Sequence, residues 1–400
     1  MKRIIALLIS IVFLSALAGC GSGNGSGAAR HILRVWASQE DQALTRELAD
    51  SFIAQNPQFN VRIELGVVGE PDAYARFSED PSAAADLFYF PNDQLRYFVS
   101  AGGLYEVQIR KDDIVSRNVA GAVDAATLDG QLWAYPATAD NGYFLYYDKS
   151  VLSEEDVLSL DRILEVSVAN GKRFQMDINN NGWYVASFFL GAGNTLTIGP
   201  DGKQISDFNN AIGLAAARSM QELAAHPGFI SGNDDVLEGG IGGSISAGVS
   251  GAWKAGAIED KLGDNYGATK LPTFTLDGQQ VQMGSFGGYK LVGINAMITN
   301  AEKLVIAMEF ADFLTNEASQ LARFKDRAIG PSNISAAASP EVQANPALAA
   351  LAAQSAYATS QNDVLGSYWT PAGAFGAAIV NQDRSDLQTI LDSMVAQIQS

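Results

Sequence analysis

Nine residues combine ring faces or carboxylates with positions at the ends of predicted strands and helices. Glu40 and Asp41 follow a strand that ends at Trp36, and Asp93 follows a strand that ends at Phe90. Asp140 precedes Tyr143, and Trp183 follows the Asn-rich segment Asp177-Ile178-Asn179-Asn180-Asn181-Gly182. Trp253 follows Gly251, Tyr289 follows Gly287-Gly288, and Trp369 lies three residues after Gly366. Flat rings can cover the C–H face of a saccharide while carboxylates and amides accept its hydroxyl hydrogens. A site built this way rejects ligands that leave its polar groups unpaired. Ligands of open α/β sheets sit beyond the carboxyl ends of strands, where the first two clusters fall. Any one Trp can equally be a core residue, and Trp36, inside a βαβ pattern, is assigned to the core.

Other chemistries find no support. His31 and His226 are the only histidines, both assigned to the surface, and neither has a partner at metal-ligand spacing or in a Ser-His-Asp arrangement. Asp177 to Gly182 matches the opening of a calcium loop, but Phe188 stands where the bidentate Glu is needed. The loop reads instead as amides offered to a polar ligand. Gly239 to Ser244 lacks the Lys and the register of a phosphate loop and reads as a turn. No carboxylate spacing nominates a glycosidase acid and base. The expectation is a binding protein without catalytic residues, metal or cofactor.

The elements that must position these residues alternate. Ile32 to Trp36 is a predicted strand, Asp41 to Gln55 an amphipathic helix, and Phe59 to Leu65 a strand of alternating hydropathy. That order seeds a parallel sheet. A helix around Tyr74 to Phe77, the strand Asp86 to Phe90 and a helix from Gln94 to Ala101 repeat the cycle. Asp129-Gly130 marks a hairpin, and Tyr143 to Tyr147 is a strand. Helices are predicted over Trp183 to Leu190, over Asn210 to Leu223, from a capping box at Thr299 to Glu302, and over Asp386 to Ile398. At 400 residues with 47% hydrophobic and 18% charged, the chain supports two lobes.

The first 19 residues carry Lys2 and Arg3 before an apolar run to Leu17, the pattern of an export signal. Leu17-Ala18-Gly19-Cys20 resembles the bacterial lipoprotein box, and Cys20 is the only cysteine. Residues 20–30 then read as a lipidated Cys and a Gly/Ser leash. Without its signal the chain has 24 basic and 44 acidic residues, a net charge of −20, which repels nucleic acid and anionic lipid. The acyl anchor alone would hold the protein to the cell membrane, facing the extracellular side or periplasm.

Taken in order, several segments resemble the sugar-binding family of extracellular solute-binding proteins that includes the maltose- and maltodextrin-binding proteins of ABC importers. They are Leu33-Arg34-Val35-Trp36, Asp86 to Asp93 with Ala101 to Leu104, Asp129 to Pro136, Tyr146 to Lys149, Ser250 to Trp253, Asn265 to Ala268 with Leu271 to Thr273, and Gly293-Ile294-Asn295. The resemblance implies an α/β, two-lobed periplasmic-binding-protein fold of type II, each lobe a mixed, mostly parallel sheet flanked by helices. It places one lobe at 31–138 plus 292–332 and the other at 139–291 plus 333–400. Crossings would fall near Ala137 to Phe144, Phe286 to Val292 and Ile329 to Ser335. The family's acidic ligand residue corresponds to Glu40 or Asp41, its Trp-x-x-Asp element to Phe90 and Asp93, and its acidic crossing residue to Asp140. Its aromatic platform corresponds to Trp183, Trp253 and Trp369, whereas its basic site residues are not matched at Asp41 or Gln94. The implied function is a monomeric receptor that closes on an oligosaccharide and presents it to an ABC permease. Met176 to Tyr184 looks most like maltodextrin binders. Another solute, such as a different oligosaccharide, a peptide or a polyamine, is the alternative, and a secreted glycosidase a further one.

Overall fold

A computed structural model describes residues 30–383 and 385–400. The signal segment, Cys20 and most of the leash lie outside the described residues.

Two mixed sheets organise the chain. In the first, the strand His31–Ala37 pairs in parallel with Val61–Val67 on one side and with Leu87–Pro91 on the other. The long strand Ser285–Ile294 joins antiparallel to Leu87–Pro91 and to Tyr135–Gly142, and parallel to Ala358–Ser360. The second sheet runs in the order Phe229–Ile230, Arg173–Gln175, Ile245–Ser250, Phe144–Asp148, Tyr266–Thr269. Its first two pairings are parallel and its last two antiparallel. Each sheet has its own main apolar core, one around Phe52, Phe88, Phe98 and Phe310, the other around Phe174, Phe188, Phe189 and Phe375, and the second sheet packs a smaller cluster around Phe144, Tyr146 and Ile258 as well. Segregated cores are the physical meaning of two lobes: each buries its own surface, so the lobes can shift relative to one another without exposing either core.

The alternating pattern of His31–Ala37, with Leu33, Val35 and Ala37 inward, follows from one face packing on helix Ala301–Leu314, while helix Gln42–Gln55 covers the neighbouring strand Val61–Val67. Leu87–Pro91 is buried on both faces and shows no alternation. The capping box is displaced by one residue: Asn300, not Thr299, caps helix Ala301–Leu314, its side chain accepting from Lys303 N. His31 is also not a surface residue. It is 8% exposed, with Nε2 3.3 Å from Glu302. Trp36 is half-buried on the first core and tilts over Phe88, as expected.

Two irregularities lie in the strand Tyr135–Gly142. Opposite Gly288 stands Asn141, but opposite Lys290 stands Thr138, so Ala139 and Asp140 together face Tyr289 alone. A second shift follows between Lys290 and Leu291. Bulges of this kind re-aim a side chain, and here the residue re-aimed is Asp140.

Candidate functional site

The site forms where the strand ends of both sheets meet the crossing strands. Trp183 opens helix Gly182–Ala192. Its position is set by the Asn-rich loop, in which Asn181 and Asp177 bond within the loop itself. Asn181 caps the helix by accepting from Trp183 N (3.1 Å), and Asn181 Nδ2 donates to Asp177 (2.9 Å). Tyr143 Oη donates to Trp183 O (2.9 Å), and Tyr368 Oη donates to Gly182 O (2.8 Å). Trp253 lies in a short turn after the strand Ile245–Ser250. Its indole Nε1 donates to Asp234 (2.7 Å), and Ser250 Oγ donates to the other oxygen of that carboxylate (2.7 Å). The two indoles stack at 5.8 Å with a 29° tilt, and both are partly exposed.

Gly251 makes this placement possible. A Cβ there would come within 2.0 Å of the Trp253 ring. Gly251→Ala is therefore expected to push the indole off Asp234 and shift tryptophan emission to the red, with the melting temperature little changed. An emission spectrum identical to that of the parent chain would show that the ring does not need this space.

Facing the rings is a cluster of charges. Lys290, on the long crossing strand, sets its Nζ 3.6 Å from Glu70 Oε1 and 5.6 Å from the centre of the Trp253 ring. Burial works against its charge, but Glu70, Asp140 and Asp41 outweigh it and hold the Lys290 pKa above the ordinary lysine value. Asp41 pairs with Arg327 and accepts from Ser38 Oγ (3.2 Å). Burial pushes its pKa up, and Arg327, Lys290 and Arg323 more than reverse this, leaving the group below the usual carboxylate range. Asp140 is 1% exposed, and among the described residues neither of its carboxylate oxygens has a hydrogen-bond partner. Burial raises its pKa, opposed by Lys290 and by the nearby Thr138 hydroxyl and Gly330 N–H. A buried carboxylate with unused oxygens is costly unless a donor reaches it, and ligand hydroxyls are such donors.

Asp93 closes the other end of the site. Its Oδ1 accepts from Gln361 Nε2 (2.7 Å), and the same side chain's Oε1 accepts from Asn141 Nδ2 (3.1 Å) and Trp183 Nε1 (3.3 Å). Burial pushes Asp93 up to about 7, against the lowering effect of that Gln361 bond. An acid with a raised folded pKa binds more protons folded than unfolded between roughly pH 4 and 7, so it costs stability as pH rises through that window. Asp93→Asn is expected to flatten this decline, making the variant relatively more stable at pH 8 than at pH 4.5. Denaturant titrations at the two pH values measure it. Parallel pH profiles would place the Asp93 proton elsewhere.

The structure brings Asp41, Asp93, Asp140, Trp183 and Trp253 to one region, sets Tyr289 at a cavity that Asp140 also lines, and leaves Phe90, Glu40 and Trp369 outside it. Phe90 is 0% exposed and packs on Phe98 (4.8 Å) and Phe88 (6.1 Å), so it has no face for a sugar. The strand that carries it is covered on both sides, which turns this ring into the core. Tyr289 and Lys290 are successive on one strand and point to opposite faces. Lys290 takes the charged cluster, and the Tyr289 ring lies against Gly121 at a cavity of about 410 Å³ that Asp140, Asn141 and Asn362 also line. Glu40 is exposed, with Asp41 beside it directed to Arg327. Trp369 is half-buried, edge-on to Phe286 (5.6 Å) and Tyr368 (5.1 Å), and does not join the Trp183–Trp253 stack. Sequence reasoning missed Lys290, Glu70, Arg327 and Gln361. A lysine inside the apolar, Gly-rich run Phe286 to Ile294 was the available signal, because a charge is buried there only when paired.

Among the described residues no three His, Cys, Asp or Glu side chains converge as metal ligands, and no helix is long and apolar enough to cross a membrane.

The sequence profile of the bacterial extracellular solute-binding proteins matches residues 47–350. A galactooligosaccharide-binding protein of Bacillus subtilis (strain 168) is 27% identical over 397 residues, covering 93% of this chain and 90% of that one. A solved structure with acarbose is 31% identical, with a TM-score of 0.82 over 92% of this chain and 98% of the other. The Thermus thermophilus maltotriose-binding protein, bound to maltotriose, shares the two-lobed fold at 22% identity, with a TM-score of 0.78 over 92% of this chain and 99% of its own. The chain therefore belongs to the bacterial extracellular solute-binding protein family, has its two-lobed type II fold, and is a binding protein and not an enzyme.

Proposed function

We propose that this chain is a receptor for a malto-oligosaccharide, held between its two lobes and delivered to an ABC import permease. The observation that carries the reading is the Trp183–Trp253 pair, joined through Lys290 to Asp140, whose buried oxygens have no hydrogen-bond partner among the described residues. The rings would cover the apolar faces of successive sugar units. Asp140, Asp93 and Asp41 would accept hydroxyl hydrogens, and Lys290 and Arg327 keep the acids from repelling one another. Contacts supplied by both lobes at once exist only when the cleft is shut, so the ligand shifts the open–closed equilibrium. Preference for the closed form by about 10⁴-fold converts a mostly open population to a mostly closed one. The lobes divide as 31–138 plus 292–332 and 139–291 plus 333–400. The chain is anchored through lipid on Cys20, faces away from the cytoplasm, and works as a monomer.

A second reading, a galacto-oligosaccharide as the ligand, is favoured by the Bacillus relative. A thermal-shift panel of maltotriose, maltotetraose, acarbose, galacto-oligosaccharides, spermidine and a tripeptide separates these. A rise in melting temperature confined to the α-glucan sugars and acarbose supports the first reading. A rise confined to galacto-oligosaccharides supports the second, and a rise confined to the amine or the peptide overturns both.

A further inference from the structure

We propose that Gln361 is a positioning residue of this cleft, its single amide holding Asp93 of one lobe and Trp183 of the other in their ligand-competent places. This inference rests on the sugar-cleft reading and adds a residue to it that neither sequence nor family resemblance indicated.

The side chain is 5% exposed and fully engaged on its acceptor side. Trp183 Nε1 and Asn141 Nδ2 are both donors, at 3.3 and 3.1 Å, so the oxygen of the amide must face them and its nitrogen must face Asp93, at 2.7 Å. The orientation of the amide thus follows from its neighbours. The backbone beneath it is equally constrained. Gln361 begins a short turn directly after the strand Ala358–Ser360, and Ser360 Oγ accepts from Asn362 N (3.2 Å). That strand pairs with Ser285–Gly287, so the turn that carries Gln361 is anchored on the long crossing strand. Its neighbour Asn362 bonds to Asn92, whose Oδ1 accepts from Tyr289 N (2.8 Å). Gly288 leaves the room: a Cβ there would lie 2.5 Å from Asn92 Oδ1 and 3.4 Å from Gln361 Cβ.

Two consequences follow. Asp93 has one oxygen committed to Gln361, so it presents the other to a ligand. The Trp183 indole cannot swing away without losing a bond that is also tied to the opposite lobe. Closure and ring placement are therefore one event.

Gln361→Glu tests the idea because it keeps size and acceptor but sets a carboxylate against Asp93. Two carboxylates at that spacing cannot both ionise, so they must share a proton. Of the elements packed on this turn, Asn92–Gln94 contributes Asp93, the long crossing strand contributes Lys290 and Tyr289, and Leu196–Ile198 contributes no titratable group. Tyr97 bonds nearby to Gly366 N, and Asp363 lies on the turn itself.

Maltotriose affinity would be measured by calorimetry from pH 5.5 to 8 for the parent chain, Gln361→Glu and Gln361→Met, with melts run without sugar. The expected result is a pH-independent loss of about tenfold for Gln361→Met, the size of one lost hydrogen-bond set. Gln361→Glu should bind like the parent at pH 5.5 and fall at least about tenfold below it by pH 8. Parallel pH profiles for Gln361→Glu and the parent, or unchanged affinity in Gln361→Met, overturn the proposal. If the parent binds no sugar, the cleft reading fails, and the sugar-free melts decide the Gln361 contact alone. It then stands if Gln361→Glu loses melting temperature against the parent as pH rises while Gln361→Met does not, and falls if the two variants behave alike.

Discussion

Trp253→Ala is expected to weaken malto-oligosaccharide binding by about 100-fold while the chain still unfolds cooperatively. A buried aromatic anchor at the centre of an interface contributes on the order of 2–4 kcal/mol, and each 1.4 kcal/mol is tenfold in affinity. Three observations fit Trp253 to that role once a sugar covers it. Its indole is aimed by the Asp234 bond at 2.7 Å, it stacks on Trp183, and it covers the charge of Lys290. It is also only partly buried, outside the Phe174–Phe188 core, so its removal leaves that core intact. Trp183→Ala should cost less affinity and more stability, because that ring packs against Tyr143 at 4.6 Å and against the second core. Titration of both variants with maltotriose, beside urea unfolding, separates the two effects. Unchanged affinity in Trp253→Ala removes the ring from the site.

The second large effect is on stability. Lys290→Met keeps the length of the side chain and deletes its charge among Asp41, Glu70 and Asp140. Arg327 still answers Asp41, but Glu70 loses its ion-pair partner, and Asp140 loses the cation that opposes its burial. Removing one member of a buried charge set typically costs about 3–5 kcal/mol, because the remaining charges stay desolvated. A loss of about 3 kcal/mol at pH 7.5 is expected from urea unfolding. The sign of its pH dependence follows from the acids left behind. Without Lys290 the folded pKa values of Asp41 and Asp140 rise, so the folded form takes up protons more readily than the unfolded one, and the deficit shrinks as pH is lowered toward 5. A variant as stable as the parent at pH 7.5 would mean that solvent, not Lys290, neutralises the cluster.

The contrast between what the sequence disclosed and what it withheld has a physical origin. Strands such as His31–Ala37 and helices such as Gln42–Gln55 are local: period and burial repeat within a few residues, so the pattern carries the element. Trp183 and Trp253 were visible for a related reason, since each follows a loop or glycine that ends an element. Gln361 and Lys290 act through partners about 150–270 positions away in the chain, and nothing local to either announces the contact. Phe90 shows the converse failure. A continuous apolar run looks the same whether its last ring faces a cleft or a core. The answer depends on helices packed from both sides, which only the assembled lobe supplies. Tyr289 and Lys290 are adjacent in sequence but back to back in space, so a ring beside a glycine pair says nothing of which face of the sheet it takes.

The most direct test of sugar capture between the lobes is a calorimetric titration of the purified chain with maltotriose at two temperatures. Two temperatures guard against an enthalpy that happens to pass through zero, and burial of sugar faces on the indoles requires a negative heat-capacity change. The expected result is saturable one-to-one binding whose enthalpy becomes more favourable on warming. A folded chain giving only heat of dilution at both temperatures would contradict it.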